Sequence, residues 1–444
     1  MDFTPTEAQQ DLAGLTRGIV SDLVTNDRLR ELDNAEDRLD RRLWSALASS
    51  GVLSAALPES VGGDGFGVLE QCSILVELGR AVAPVPYLSS IVMAAGAIAK
   101  YGTEQQRSDW GTPAACGEKI LTVALDEELN DTPGAPVTRA ERGADGWTLD
   151  GTKIVVDAAP SADLFLVPAT TPDGVAVFLV RPDDAGVTVT RQQTVDLAST
   201  GEVTLHGVSL AADRQLGAVD QGGEIVDDAA PSADLFLVPA TTPDGVAVFH
   251  VRPDDAGVTV TRQQTVDLAS TGEVTLRGVS LTEDRVLGAV DQGGEIVDWL
   301  VERGSLGACA YQYGVLDEAL KLTAAYARER VQFGRPIGSF QAVAQRLADG
   351  YIDVKGVRLT LWQAAWRLSE GLPSEGDIQT ANFWASDAGH RVAHTLVHVH
   401  GGVGLDEDHP VHRYFLAAKA LEFRLGSATQ QLRILGAELA TVPA

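Results

Sequence analysis

The chemistry in this sequence starts with a run in its C-terminal third, Tyr326-Ala327-Arg328-Glu329-Arg330-Val331-Gln332-Phe333-Gly334-Arg335-Pro336-Ile337-Gly338-Ser339-Phe340-Gln341. A helix ends at the Gly-Arg-Pro turn and another starts shortly after it. Arg330 carries a planar guanidinium that can fork onto a phosphate or pyrophosphate with two charge-assisted bonds. Phe333 offers a flat apolar face, and Gln341 an amide able to pair with a ring edge. The plainer alternative is that Arg328 and Arg330 are solvated cations favoured by the dipole at a helix end. A second cluster, His400-Gly401-Gly402-Val403-Gly404, follows the helix predicted over 387–399. Gly401, Gly402 and Gly404 permit positive φ and close approach of backbone to a ligand. They equally suit a helix C-cap. His390, His394 and His398 share one helical face, but there is no HExxH pattern and a structural zinc site closes with four ligands, so no metal is expected.

The elements that must position these groups change character along the chain. Residues 5–110 read as helices: Leu43, Leu47, Val52 and Leu53 form one apolar cluster, and Leu69, Cys72, Leu75 and Val76 recur at helical spacing. From Lys119 to about Leu281 the texture is short β-type runs, such as 147–156, 164–167 and 175–180, bounded by Asp-Gly, Pro-Asp or Gly signals. From about Glu295 it is helical again, in four long segments. There Phe340, Val343, Leu347, Tyr351, Val354, Leu361, Ala365 and Leu368 trace a stripe, and Leu372-Pro373-Ser374 breaks the helix. The expected class is α+β: an N-terminal helical domain over 1–117, a central antiparallel β-barrel-like domain over 118–294, and a C-terminal four-helix bundle over 295–444.

The central domain contains a tandem repeat. Residues 157–227 recur as 228–298 with a period of 71 and five differences: Leu179/His250, His206/Arg277, Ala211/Thr282, Ala212/Glu283 and Gln215/Val286. Solenoids use periods of about 20–50 residues and three or more units, so two near-identical copies read instead as a tandem duplication. Without one copy the chain has 444 less 71, or 373, residues. Both copies compete for the same partner strands. The second, which runs directly into the following helix, is expected to fill the domain, with the surplus copy either as an appended sheet or poorly ordered.

The formal charge of -28 disfavours nucleic acids and anionic membrane surfaces as partners. Three cysteines without a CxxC pair argue for a reducing compartment. The polar, acidic amino terminus reads as neither signal nor transit peptide, and no apolar run is long enough for a spanning helix. A cytoplasmic protein is expected.

The string YARERVQFGRPIGSFQAVAQRLAD, the HGGVG turn, the opening MDFTPTEAQ and the stretch GVLSAALPESVGGDGFG together resemble the acyl-CoA dehydrogenase family, as does the order of helices, β-domain and bundle. The resemblance implies α,β-desaturation of an acyl-CoA thioester, in fatty-acid or sterol side-chain β-oxidation. A glutamate would remove the α-proton, and FAD would accept the β-hydrogen as hydride before reoxidation by an electron-transferring flavoprotein. It implies a tetramer, homo- or heteromeric, with FAD across a subunit interface. Arg330, Phe333 and Gln341 would hold the pyrophosphate and adenine end, and Gly401, Gly402 and Gly404 the turn that a neighbouring subunit's FAD passes.

The sequence departs from the family pattern in three places. The flavin motif, usually Thr-Glu-Pro and then Gly-Ser-Asp, reads 125–129 Leu-Asp-Glu-Glu-Leu and then Pro133-Gly134-Ala135. The strand that covers the flavin, Lys153-Ile154-Val155-Val156-Asp157, lacks a tryptophan. Leu425 stands at the common position of the catalytic glutamate. In other members the base lies on the helix before the Tyr-Ala-x-x-Arg motif. That position falls on Gly304, with Glu302 two residues earlier and about 200° around the helix. Glu302 is therefore the sole candidate base of this chain. The alternative is a non-catalytic subunit that completes the FAD site of a catalytic homologue.

Overall fold

A computed structural model describes residues 4–33, 38–128, 130, 132–143, 146–172, 174–193, 199–205, 215–216, 236–242, 245–251, 258–264, 270–281, 285–289, 292–424 and 426–441. The N-terminal helices are α1 (Glu7–Leu23), α2 (Asn26–Asp33), α3 (Arg41–Ser49), α4 (Val68–Arg80), α5 (Gly96–Tyr101), α6 (Glu104–Gln106) and α7 (Thr112–Ala115). Thr6 and Gln9 cap α1 reciprocally, so the orphan amides of its first turn are satisfied. Leu43, Leu47, Val52, Leu53, Cys72, Leu75 and Val76 all enter one core, as their spacing predicts.

The strands are β1 (Leu121–Val123), β2 (Arg139–Gly143), β3 (Gly146–Asp157), β4 (Leu164–Thr171), β5 (Gly174–Val180), β6 (Val187–Gln193), β7 (Ser199–Leu205), β8 (Gln215–Leu216), β9 (Phe236–Thr242), β10 (Gly245–Val251), β11 (Val258–Gln264), β12 (Ser270–Leu281) and β13 (Val286–Leu287). The principal sheet runs β13-β5-β4-β2-β3-β12-β6, with β1 beside β4. It departs from the expected antiparallel barrel in two respects. Its terminal strands β13 and β6 do not pair, since β13 spans two residues before the chain leaves for the next helix. Two contacts, β1 with β4 and β2 with β4, are parallel.

The repeat also enters this sheet differently from the expectation. The second copy does not fill it alone. Strands β4, β5 and β6 come from the first copy, and β12 and β13 from the second. The reason is chain connectivity: the first copy follows β3 directly and the second leads directly into the C-terminal helices, so each end docks with the least loop-closure cost. Between them, β8-β10-β9 form one small sheet and β7-β11 another.

C-terminal to the sheet lie α8 (Gly293–Glu329), a hairpin of β14 (Val331–Gln332) and β15 (Arg335–Pro336), then α9 (Gln341–Ser369), α10 (Glu375–His400), α11 (Val411–Phe423) and α12 (Ala428–Thr441). The expected fourth segment is thus two helices, parted around Gly426, whose φ is 108°. Helices α4 and α8 cross in close contact. A Cβ on Gly79 would lie 2.1 Å from the Tyr311 carbonyl oxygen, and one on Gly314 would lie 2.1 Å from that of Val76. That crossing welds the N-terminal helices to the bundle and fixes the cavity described next.

Candidate active site

An apolar cavity of about 170 Å³ opens where α4, the end of β3, α8 and α11 meet. Leu75, Leu78, Leu88, Tyr311, Leu416 and Leu421 give it apolar walls. Its rim carries Asp157 and Arg424. The Asp157 carboxylate accepts a bond from the Ser89 hydroxyl at 2.7 Å and pairs with the Arg424 guanidinium at 3.1 Å. Burial opposes the charge on Arg424, but Asp157 and Asp126 outweigh it and hold its pKa above the ordinary value. Among the described residues Asp157 is the one carboxylate that lines the cavity, and it is paired with Arg424.

Glu302 does not line this cavity. It lies nine residues before Tyr311 on α8, which is half a turn further round the helix after whole turns are removed. It borders a separate cleft of about 1250 Å³ with Trp299, Arg303 and Glu375. Burial raises its pKa, and the Arg303 guanidinium 3.7 Å away counters this. Leu425 lies outside the described residues, between Arg424 and Gly426.

Behind the cavity, the segment expected to face the flavin is knitted together internally. Lys153 donates to Glu127 at 2.7 Å, and Glu127 also accepts from the Thr138 amide and hydroxyl, the Val137 amide and Asn130. In the segment 153–157 at the end of β3, Val155 has φ 51° and is exposed.

The other two motifs come together at the far end of α8. The Tyr326 ring stacks on the His400 imidazole at 4.3 Å, joining the Arg330 turn to the Gly401 turn. Arg330 is exposed, and its backbone closes the β14–β15 hairpin through Tyr326 and Ile337. Phe333, with φ 52° and 92% exposed, projects from the tip of that hairpin next to Gly334 at φ 77°. A bulky residue rarely adopts positive φ, and a solvent-facing aromatic held there points to an external partner. Gln341 is exposed at the first turn of α9. A Cβ on Gly401 or Gly402 would meet nothing within 4 Å, so that surface has room for a ligand, whereas Gly404 packs against Val397 and His400. An exposed guanidinium, an exposed ring and an open glycine turn on one surface fit the pyrophosphate and adenine of a dinucleotide. On the β-face, Lys153 and Glu127 are engaged with one another.

The sequence did not single out Ser89, Tyr311, Arg424 or the Glu127–Lys153 pair. They lie on separate elements, and only the fold brings them together. Among the described residues no group of three or more His, Cys, Asp and Glu side chains is arranged to hold a metal ion, and no helix is long and apolar enough to cross a membrane.

Three segments match descriptions of one family: acyl-CoA dehydrogenase N-terminal domain over 6–118, middle domain over 130–208 and C-terminal domain over 291–440. Acyl-CoA dehydrogenase FadE27 of Mycobacterium tuberculosis is 47% identical over 452 aligned positions, covering 100% of both chains. Among solved structures, the ChsE4-ChsE5 complex from the same organism is similar with a TM-score of 0.80 at 46% identity over 100% of both chains. A variant of the Tcur3481-Tcur3483 steroid ACAD gives 0.76 at 35% identity over 98% of each. The chain belongs to the acyl-CoA dehydrogenase family. It is an FAD-dependent oxidoreductase of that family, acting in the α,β-desaturation of an acyl-CoA thioester.

Proposed function

We propose that the chain works as one subunit of a hetero-oligomeric acyl-CoA dehydrogenase and that a homologous subunit supplies the catalytic base. The observation that carries this reading is the ion pair at the cavity: Asp157, the one carboxylate among the described lining residues, is held by Arg424 and Ser89. A base needs hydrogen-bond reach to the α-proton, and Asp157 already commits its Oδ2 to the Ser89 hydroxyl and the Arg424 guanidinium. Glu302 is turned away on α8. FAD, when bound, takes the β-hydrogen as hydride. This chain's part is to grip the cofactor's far end through Arg330, Phe333, Gln341 and the turn of Gly401, Gly402 and Gly404, and to wall an acyl pocket.

Apolar side chains exposed on α9, Tyr351, Ile352 and Leu359, support assembly into a dimer or tetramer. The ChsE4-ChsE5 complex and Tcur3481-Tcur3483 are both named as pairs, which favours a heteromeric partner and a steroid-derived or fatty acyl-CoA. The reading includes division at 1–117, 118–294 and 295–444, with a tandem duplication in the middle unit. It also includes reoxidation by an electron-transferring flavoprotein and a cytoplasmic location.

The test is turnover of the purified chain with several acyl-CoA thioesters and an artificial electron acceptor, alone and after co-expression with a homologous chain. Activity is expected only in the co-expressed complex. Robust turnover by the chain alone, abolished by Glu302→Gln, would sink the partner reading and make Glu302 the base.

A further inference from the structure

We propose that the central domain is assembled from the outer halves of the two repeats, and that two of the five differences between the copies, Leu179/His250 and Gln215/Val286, select that assembly over the alternatives.

Three arrangements would give the same principal sheet: the first copy whole, the second copy whole, or the first half of one joined to the second half of the other. Sequence identity makes them nearly degenerate, since 66 of the 71 positions match. The structure adopts the third. In it, β12 pairs with β6 with Leu276 opposite Val187, and β13 pairs with β5 with Val286 opposite Phe178. The excluded inner halves repeat these pairings in identical register. Leu205 lies opposite Val258, which is Leu276 opposite Val187 shifted by one period each way, and Gln215 lies opposite Phe249 as Val286 lies opposite Phe178. Strands β7 to β11, which lie between β6 and β12 in the chain, therefore pair with one another in permuted order.

Two buried positions break the degeneracy. Leu179 on β5 is 1% exposed in the main core, and the second copy has histidine there. Val286 on β13 is 6% exposed in the core of the sheet, and the first copy has glutamine there. Burying an imidazole or an amide among apolar side chains without partners is unfavourable. Only the outer halves put leucine and valine at both sites together. The first copy whole would bury Gln215, and the second copy whole would bury His250. The joint between the halves is then locked by an ion pair across copies, Arg285 with Asp184 at 2.5 Å, while Arg285 also donates to the Leu179 carbonyl at 2.7 Å. At the exit, α8 begins against β5 so closely that a Cβ on Gly293 would lie 1.9 Å from the Val175 carbonyl oxygen.

The experiment uses full-length single variants and their melting temperatures. Leu179→His and Val286→Gln are each expected to lower the main transition by roughly 5 °C. The mirror changes His250→Leu and Gln215→Val are expected to leave it in place. Equal sensitivity within either pair, or the reverse order, overturns the proposal. Where a destabilised variant gives no folded protein, hydrogen exchange on the unaltered chain decides. Peptides spanning 174–180 and 245–251 differ in mass through Leu179 and His250, and slower exchange in the former is expected. Equal or reversed protection refutes the assignment.

Discussion

The Lys153 ammonium and the Glu127 carboxylate lie 2.7 Å apart with both side chains out of solvent, at 0% and 3% exposure. Burial alone would neutralise both groups. For Glu127, Lys153 and the donors on Thr138 and Val137 outweigh it, and its pKa falls below the usual carboxylate range. For Lys153 burial prevails, and its pKa falls even though Glu127 works the other way. The pair ties strand β3 to the segment that carries Glu127.

Replacing Lys153 by methionine should therefore destabilise the β-domain by about 3–5 kcal/mol, because it strands a buried carboxylate. Thermal melting should fall by on the order of 10 °C. Adding Glu127→Gln should recover part of the loss, since the neutral amide removes the stranded charge but offers one acceptor oxygen where the carboxylate had two. A Lys153→Met chain that melts with the parent would show that the ion pair contributes nothing to stability. The depressed Glu127 also adds stability that is present above its ordinary unfolded pKa, roughly 4.3, and is lost as pH drops below it.

The helical parts of this fold were legible because burial there has a local period. Leu43, Leu47, Cys72 and Leu75 read as one face and pack as one core. Along α9 the stripe holds for Val354, Leu361 and Ala365, which are buried, yet Tyr351 on the same stripe is 58% exposed. Apolar spacing marks a face without saying whether the protein's own core or another subunit covers it. The β-domain was less legible for a different reason. Strand period does not distinguish two copies of the same strand, and the choice between them rests on single buried positions such as Leu179 and Val286. At the candidate site, Arg330 and Gly401 were visible as motifs, but the Asp157–Arg424 pair joins residues more than 260 positions apart, and no local pattern announces it.

Acidification should loosen the C-terminal bundle before the carboxylates titrate. His400 is buried with its Nδ1 at 2.9 Å from the Leu396 carbonyl, and His412 is buried with its Nδ1 at 2.8 Å from that of His409. Burial lowers both pKa values; the carbonyl contacts oppose it, and His409 and Arg413 respectively reinforce it, while Asp33 and Glu407 oppose it at His412. A histidine with a depressed folded pKa binds fewer protons folded than unfolded. Its contribution is thus complete above the unfolded value, roughly 6.5, and lost as pH falls through the folded one. Melting temperature should be flat from about pH 8 to 7 and decline below about 6.5, with a shallower decline in His400→Gln. A melting temperature constant or rising between pH 7 and 5 would contradict this.

Replacing Arg330 by alanine should weaken FAD retention in the assembled enzyme by about 10- to 100-fold, the worth of one or two charge-assisted bonds to a phosphate. Arg330→Lys should restore only part, because a point charge cannot make the forked contact. The change should leave folding intact. The side chain is exposed, and the turn is held by backbone bonds from the Arg330 amide to Tyr326 and from the Ile337 amide to Arg330. Flavin absorbance against protein after dilution and gel filtration measures retention, and circular dichroism checks the fold. Phe333→Ala is the companion variant, removing an exposed ring without touching charge. If it lowers flavin retention with little dependence on salt, while the Arg330→Ala deficit varies with ionic strength, the stacking and phosphate roles separate as assigned. Full flavin retention by Arg330→Ala under dilution would remove this residue from the cofactor site.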